Sequence, residues 1–393
     1  MINRDMLRLG TKRSCIRELF EYGLRRSAEL GPDAVCDFSI GNPSVPSPSG
    51  VNESLCLIVS GGESRAVHGY TPAAGTRGAR EAVAADLNAR FGCEARPEEL
   101  FFTCGAAPAL TAVLAALSVP GGECVILAPF FPEYRVFAEA AGLEPVIVPA
   151  NTADFQVHAG EVAPFLSPRT QALIVNSPNN PSGVVYGEEN LRALASLLEE
   201  KEREYGHPIY LIADEPYREL VYDGARVPFL PLLYADSVVC YSWSKSLSLP
   251  GERIGYVYVP RRAADGEALY AAVAGAARAM GHVCAPSLMQ HMIAECVSLR
   301  PDIEAYDRNR RTLYEALCSY GYECVRPQGA FYLLFRSPKG SAQEFSDRAK
   351  AKDLLVVPCG DFGCPDYLRA GTCVSYETVL RSLPLFRELI EES

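Results

Sequence analysis

The sequence predicts an α/β fold, with a large domain on a mostly parallel central sheet and a smaller α+β domain. Short β-branched runs, apolar on consecutive positions, alternate with helical patterns through the middle of the chain, as strands covered on both faces must. After about Pro286 the texture changes: helical patterns give way to short strands and a closing helix. These two observations place the large domain at residues 45–285 and the small one at 1–44 together with 286–393.

In order, the expected strands of the large domain are Cys124–Ala128, Ala172–Asn176, Ile209–Ala213, Val238–Tyr241 and Ile254–Val259. Between them lie helical stretches such as GEENLRALASLLEEKEREYG, where Leu191, Leu194, Leu197 and Leu198 form one stripe and charges cover the rest. The small domain follows as helices over Leu288–Leu299 and Tyr306–Tyr320, then strands over Ala330–Phe335, Leu354–Val357 and Leu368–Val374. No internal repeat or low-complexity tract interrupts the pattern.

Composition narrows the function. The chain has 393 residues, 48% hydrophobic and 22% charged, with a formal net charge of −11. That balance argues against nucleic acid or an anionic membrane as the main partner. The opening MINRDMLRLG scatters charges among its apolar residues, unlike a secretory signal. The apolar stretch ALTAVLAALSV is cut short by Pro120, Gly121, Gly122 and Glu123. Fourteen cysteines include no C-x-x-C pair, so neither a metal site nor a thioredoxin-like motif is expected. Most lie in apolar runs, which points to a reducing, cytoplasmic compartment.

The polar segments fall where chemistry belongs in an open α/β sheet, beyond the carboxyl ends of the strands. One strand runs into NSPNNPSG, the next into DEPY, and the next into SWSK. Upstream, TCGAAPAL sets Gly105, Ala106 and Ala107 at the start of an apolar helix, whose free N–H groups suit a phosphate. Each segment also reads as plain structure: a tight turn, a helix cap, a proline turn, a solvated lysine. Together and in order they fit one ligand with a phosphate, an aromatic nitrogen and an aldehyde. Pyridoxal phosphate needs a lysine for a Schiff base, an acid at its ring nitrogen and donors for its phosphate.

At these residues the chain resembles the class I/II aminotransferases, fold-type I pyridoxal-phosphate enzymes similar to aspartate aminotransferase. The resemblance runs from FSIGNP (Phe38–Pro43) to YLRAG (Tyr367–Gly371), and the pattern SxSKxxxxxGxRxGY is complete from Ser242 to Tyr256. It implies that Lys245 forms the internal aldimine and moves the proton between substrate and cofactor, and that Asp214 pairs with the ring nitrogen. Asn180 and Tyr217 are expected at the ring's 3-oxygen, and Phe131 of PFFPEY against its face. The phosphate falls to Arg253, Ser242, the Gly105–Ala106–Ala107 backbone and, in part, Ser244. Relatives often carry a polar side chain at the position of Ala107, so that contact is left to main chain.

Tyr70 in HGYTPAAGTRG matches a tyrosine that reaches the neighbouring subunit's cofactor, which implies a homodimer with shared active sites. Arg369 matches the arginine that takes the substrate α-carboxylate, helped by the Gly41 backbone and Asn180; Gly371 stands where many relatives have serine or alanine. PQGAFYLLF (Pro327–Phe335) resembles the small-domain strand near the pocket. Arg278 lies roughly where some dicarboxylate-specific relatives place a second arginine, and reads equally as a surface or interface residue.

The reaction implied is transfer of an amino group from an L-amino acid to a 2-oxo acid. The same constellation serves a carbon–sulfur β-lyase or a decarboxylase. A ligand sensor on this fold would need a basic DNA-binding part, for which the acidic balance gives no support.

Overall fold

The computed structural model of the chain describes residues 1–11, 14–31 and 33–392. Its strands, in chain order, are β1 (Cys36–Asp37), β2 (Leu100–Thr103), β3 (Glu123–Leu127), β4 (Glu144–Val148), β5 (Thr170–Asn176) and β6 (Tyr210–Asp214). They continue as β7 (Ser237–Ser242), β8 (Gly255–Tyr258), β9 (Tyr332–Arg336), β10 (Leu354–Leu355), β11 (Val357–Pro358) and β12 (Tyr367–Gly371).

A seven-stranded sheet runs in the order β2-β8-β7-β6-β5-β3-β4. From β4 through β7 all pairings are parallel, and β8 is antiparallel to both of its neighbours. The sheet is buried on both faces because alternate residues serve different cores: Val125 and Leu127 on one side, Cys124 and Ile126 on the other. The chain leaves β3 in one direction to β4 and resumes on its other side at β5, so β3 and β5 flank a switch point, where open sheets hold ligands.

Helix Ala106–Leu117 packs against helix Gly266–Ala279 on one side of the sheet. Helix Glu188–Tyr205 buries Leu191, Leu194 and Leu198, with Leu197 only partly covered. The remaining strands form an antiparallel sheet in the order β11-β12-β9 and a parallel pair β1-β10. That pair ties the segment before Ile40 and Gly41 to the far end of the chain, Cys36 opposite Leu354.

The expected strands shift by one to three residues at their ends. The single strand expected over Leu354–Val357 is two, in different sheets, because β10 pairs with β1 and β11 with β12. β1, β2 and β4 escaped the sequence reading; β4 carries Pro145 and sits at the sheet edge, where proline is tolerated. Among the described residues no helix is long and apolar enough to cross a membrane, and no His, Cys, Asp and Glu cluster could hold a metal ion.

Candidate active site

The parallel strands β5, β6 and β7 end side by side, with Asn176 opposite Asp214 and Asp214 opposite Cys240. The Asn176 side chain holds the loop that follows: Nδ2 donates to the Asp214 carbonyl at 2.9 Å, and Oδ1 accepts from the Asn180 N–H at 2.8 Å. Asn179 then donates to the Pro129 carbonyl at 3.1 Å, joining this loop to the turn after β3.

Asp214 is 5% exposed. Its Oδ2 accepts the Tyr134 hydroxyl, and its Oδ1 is buried without a partner. Burial pushes the carboxyl up to about 7, with the Tyr134 hydrogen bond pulling the other way. A positively charged N–H donor placed at Oδ1 would favour the ionised form of this acid. Phe131 meets Tyr134 edge-on, ring centroids 5.7 Å apart, which brings it into the same group.

Lys245 follows β7 in the short turn Trp243–Ser246. Burial lowers its ammonium to about 8; Arg253 and Arg369 push the same way, and the Cys373 thiol opposes them. Nζ donates to the Gly41 carbonyl at 2.5 Å and lies 5.6 Å from the Phe331 ring centre.

Arg369 on β12 is 2% exposed. Nη1 donates to Asn180 Oδ1 at 3.1 Å and Nη2 to the Ser39 carbonyl, while Nε is unpaired. The guanidinium lies 4.6 Å from the Tyr332 ring centre and 5.3 Å from that of Phe362. The Tyr217 hydroxyl pairs with that of Tyr332 at 2.9 Å. Gly371 receives the Phe38 strand closely, since its N–H donates to the Phe38 carbonyl at 2.8 Å and a Cβ would crowd the Phe38 and Ile40 carbonyls.

A second convergence lies toward the β2 edge of the sheet. Gly255 pairs with Ser242 on one side and Thr103 on the other. Gly105 takes φ of 99°, open to glycine, and a Cβ there would fall 2.7 Å from Arg253 Nη2. Helix Ala106–Leu117 begins at this point, its first N–H groups lacking intrahelical partners, with Pro108 in the first turn. A guanidinium, a serine at a strand end and a bare helix start form an anion cradle. Ser244 is buried in the following turn.

The structure therefore brings together Lys245, Gly41, Asn180, Arg369 and Tyr217 through contacts, with Phe131 joined to Asp214 through Tyr134. It gathers Gly105, Ala106, Ala107, Ser242 and Arg253 at the cradle. Tyr70, 91% exposed, and Arg278, exposed in the last turn of Gly266–Ala279, make none of these contacts. Sequence reasoning missed Tyr134, although PFFPEY contains it, and Asn176 and Tyr332, whose roles depend on distant partners.

The donor set fits pyridoxal phosphate: an acid with one empty buried oxygen, an amine of lowered proton affinity, and an anion cradle. A doubly covered, mostly parallel sheet with this site defines an α/β enzyme of fold type I. Residues 34–383 match the family described as aminotransferase class I and II, and the chain belongs to it. An aspartate/prephenate aminotransferase of Thermus thermophilus is 30% identical over 366 residues, 92% of each chain. Among solved structures, an amino transferase from Eubacterium rectale superposes with a TM-score of 0.97 at 48% identity, covering 100% of this chain and 99% of that one. Thermus thermophilus aspartate aminotransferase with maleate gives 0.87 at 26% identity, covering 99% and 100%. The activity is transamination, and the lyase and decarboxylase alternatives are not favoured.

Proposed function

We propose that the chain binds pyridoxal 5′-phosphate at this site and uses it to move an amino group from an L-amino acid to a 2-oxo acid. The observation that carries this is the buried Oδ1 of Asp214, left without a partner at the end of a central strand. When bound, the cofactor supplies an aldehyde for the amine and a ring that draws electrons from the substrate α-carbon. Asp214 holds the ring nitrogen in its protonated form. Arg253, Ser242, Ser244 and the N–H groups of Ala106 and Ala107 hold the phosphate, while Gly105 lets Arg253 approach. Phe131 lies against the ring, and Asn180 and Tyr217 hydrogen-bond its 3-oxygen.

Lys245 would hold the cofactor's aldehyde end through Nζ, and its amine, once released by the substrate amine, would carry the substrate α-proton. A lowered proton affinity suits both tasks, since the neutral amine is nucleophile and base. Arg369 binds the α-carboxylate through its planar fork, with the Gly41 backbone and Asn180 beside it.

The proposed large unit spans 45–285 and the small unit 1–44 with 286–393. A homodimer completes the site: Tyr70 reaches the neighbouring copy's phosphate, and the exposed Leu57, Val59, Met280 and Val283 supply apolar area for the contact. Arg278, exposed in the last turn of its helix, enters this reading as the partner of a distal substrate carboxylate. Relatives named for aspartate, and one solved with maleate, favour acidic substrates. A cytoplasmic setting agrees with the free cysteines.

Activity with 2-oxoglutarate against a panel of amino acids tests the reading. Aspartate and glutamate should lead, and Arg278→Ala should reduce them far more than alanine or phenylalanine. A uniform loss, or none, removes Arg278 and the dicarboxylate preference.

A further inference from the structure

Tyr332 carries no role in the reading above, yet it touches three residues on which that reading depends. It is 3% exposed and lies on β9, opposite Gly371 and diagonal to Arg369 on the same face. Its hydroxyl pairs with the Tyr217 hydroxyl at 2.9 Å, and its ring lies under the Arg369 guanidinium at 4.6 Å. A Cβ on Gly41 would overlap the Tyr332 hydroxyl, so the glycine whose carbonyl receives Lys245 is bare where this oxygen sits.

We propose that Tyr332 is a positioning residue: its hydroxyl orients the phenol of Tyr217, and its ring sets the plane of Arg369. The inference rests on the placement of Tyr217 at the cofactor's 3-oxygen. A phenol has one O–H. If Tyr217 donates that proton to the cofactor, it must accept from Tyr332, and the direction of the pair is fixed. Burial raises both phenols and the Arg369 charge lowers each, so both keep their protons and the acceptor offered to Tyr217 sets the direction of the pair. Donation into Tyr217 in turn strengthens Tyr217 as a donor. A core tyrosine with only a packing role would be replaced by phenylalanine without consequence, since the ring would keep its edge-on contacts with Tyr217 and Phe331. The hydroxyl is therefore the part to test.

The readout is the visible absorption of the cofactor-loaded protein as a function of pH, separate from turnover. A phenol donating to the 3-oxygen competes for that oxygen with the chromophore's own titrating proton. Losing the donor raises the pH at which the band titrates. Tyr217→Phe should raise the midpoint. Tyr332→Phe should raise it less, on the order of half a unit. The double variant should add nothing to Tyr217→Phe, because Tyr332 then has no phenol to hold.

A second arm uses 3-phenylpropionate as a carboxylate probe. Tyr332→Phe keeps the ring under Arg369 and should bind it as the parent does, whereas Tyr332→Leu should bind it several-fold more weakly. A Tyr332→Phe titration that overlays the parent's, or one whose shift adds in full to that of Tyr217→Phe, overturns the hydroxyl's role. Unchanged binding in Tyr332→Leu overturns the ring's role. If Tyr217→Phe itself leaves the midpoint unmoved, the placement of Tyr217 fails, and this inference with it.

Discussion

Asp214 and Arg369 are both buried, 5% and 2% exposed, yet one has an oxygen with no partner and the other has both terminal nitrogens engaged. Asp214 sits at the end of a central strand, fixed by β5 and β7 on either side. Arg369 sits on the three-stranded antiparallel sheet and reaches residues 189 and 330 positions away, Asn180 and Ser39. The proposed cofactor end is thus a socket with one buried oxygen left open. At the proposed carboxylate end Nη1 and Nη2 of Arg369 already serve an amide and a carbonyl, and only Nε is unpaired. A carboxylate gripping the terminal fork would have to share or replace those contacts. In the proposed reading the first end would bind by filling a deficit and the second largely by exchange.

Lys245, whose Nζ reaches the Gly41 carbonyl, is the residue whose loss should stop transfer while leaving both ends in place. Lys245→Ala should still take up the cofactor, because the cradle and Asp214 remain, but transfer should fall by several orders of magnitude as nucleophile and proton carrier disappear together. Spectra for binding and steady-state rates for transfer separate the two effects.

The deficit at Asp214 should show as a pH dependence of cofactor-free protein. Its folded-state pKa, about 7, lies above the ordinary 3.8, so the folded form holds the proton more tightly. The contribution is fully present below the unfolded value and is lost as pH rises through the folded one. Between pH 4 and 8 the parent should lose up to about 4 kcal/mol relative to Asp214→Asn, from roughly three pKa units at about 1.36 kcal/mol each. Urea unfolding of both proteins at the two pH values checks this. Parallel stability curves would mean that Asp214 is not a starved buried acid, and the contrast with Arg369 would collapse.

A smaller effect is expected at the exchanging end. Arg369→Lys keeps the charge and loses the fork, so kcat/KM should fall by about 1.5–3 kcal/mol for every amino acid tested, roughly 10- to 150-fold. Loss confined to some side chains would shift Arg369 from the common carboxylate to the variable group.

The same contrast explains what the sequence made legible. Ligands of the central sheet come from contiguous segments at strand ends, so NSPNNPSG, DEPY and SWSK could be read in order, and the strands before them lay within a residue or two of their places. Tyr134 was harder, since only the fold brings PFFPEY against the end of β6. Tyr332 and Ser39 were illegible for the same reason at greater range: their meaning lies in contacts across β9, β12 and the loop after β1. Arg369 could be named only because the resemblance named it.

The most direct test of the central claim is chemical. Protein loaded with pyridoxal 5′-phosphate is reduced with borohydride, digested, and mapped by mass spectrometry. The account requires the cofactor mass on the peptide carrying Lys245, with labelling abolished in Lys245→Ala. A label on any other lysine, or none on a protein that visibly binds the cofactor, would contradict it.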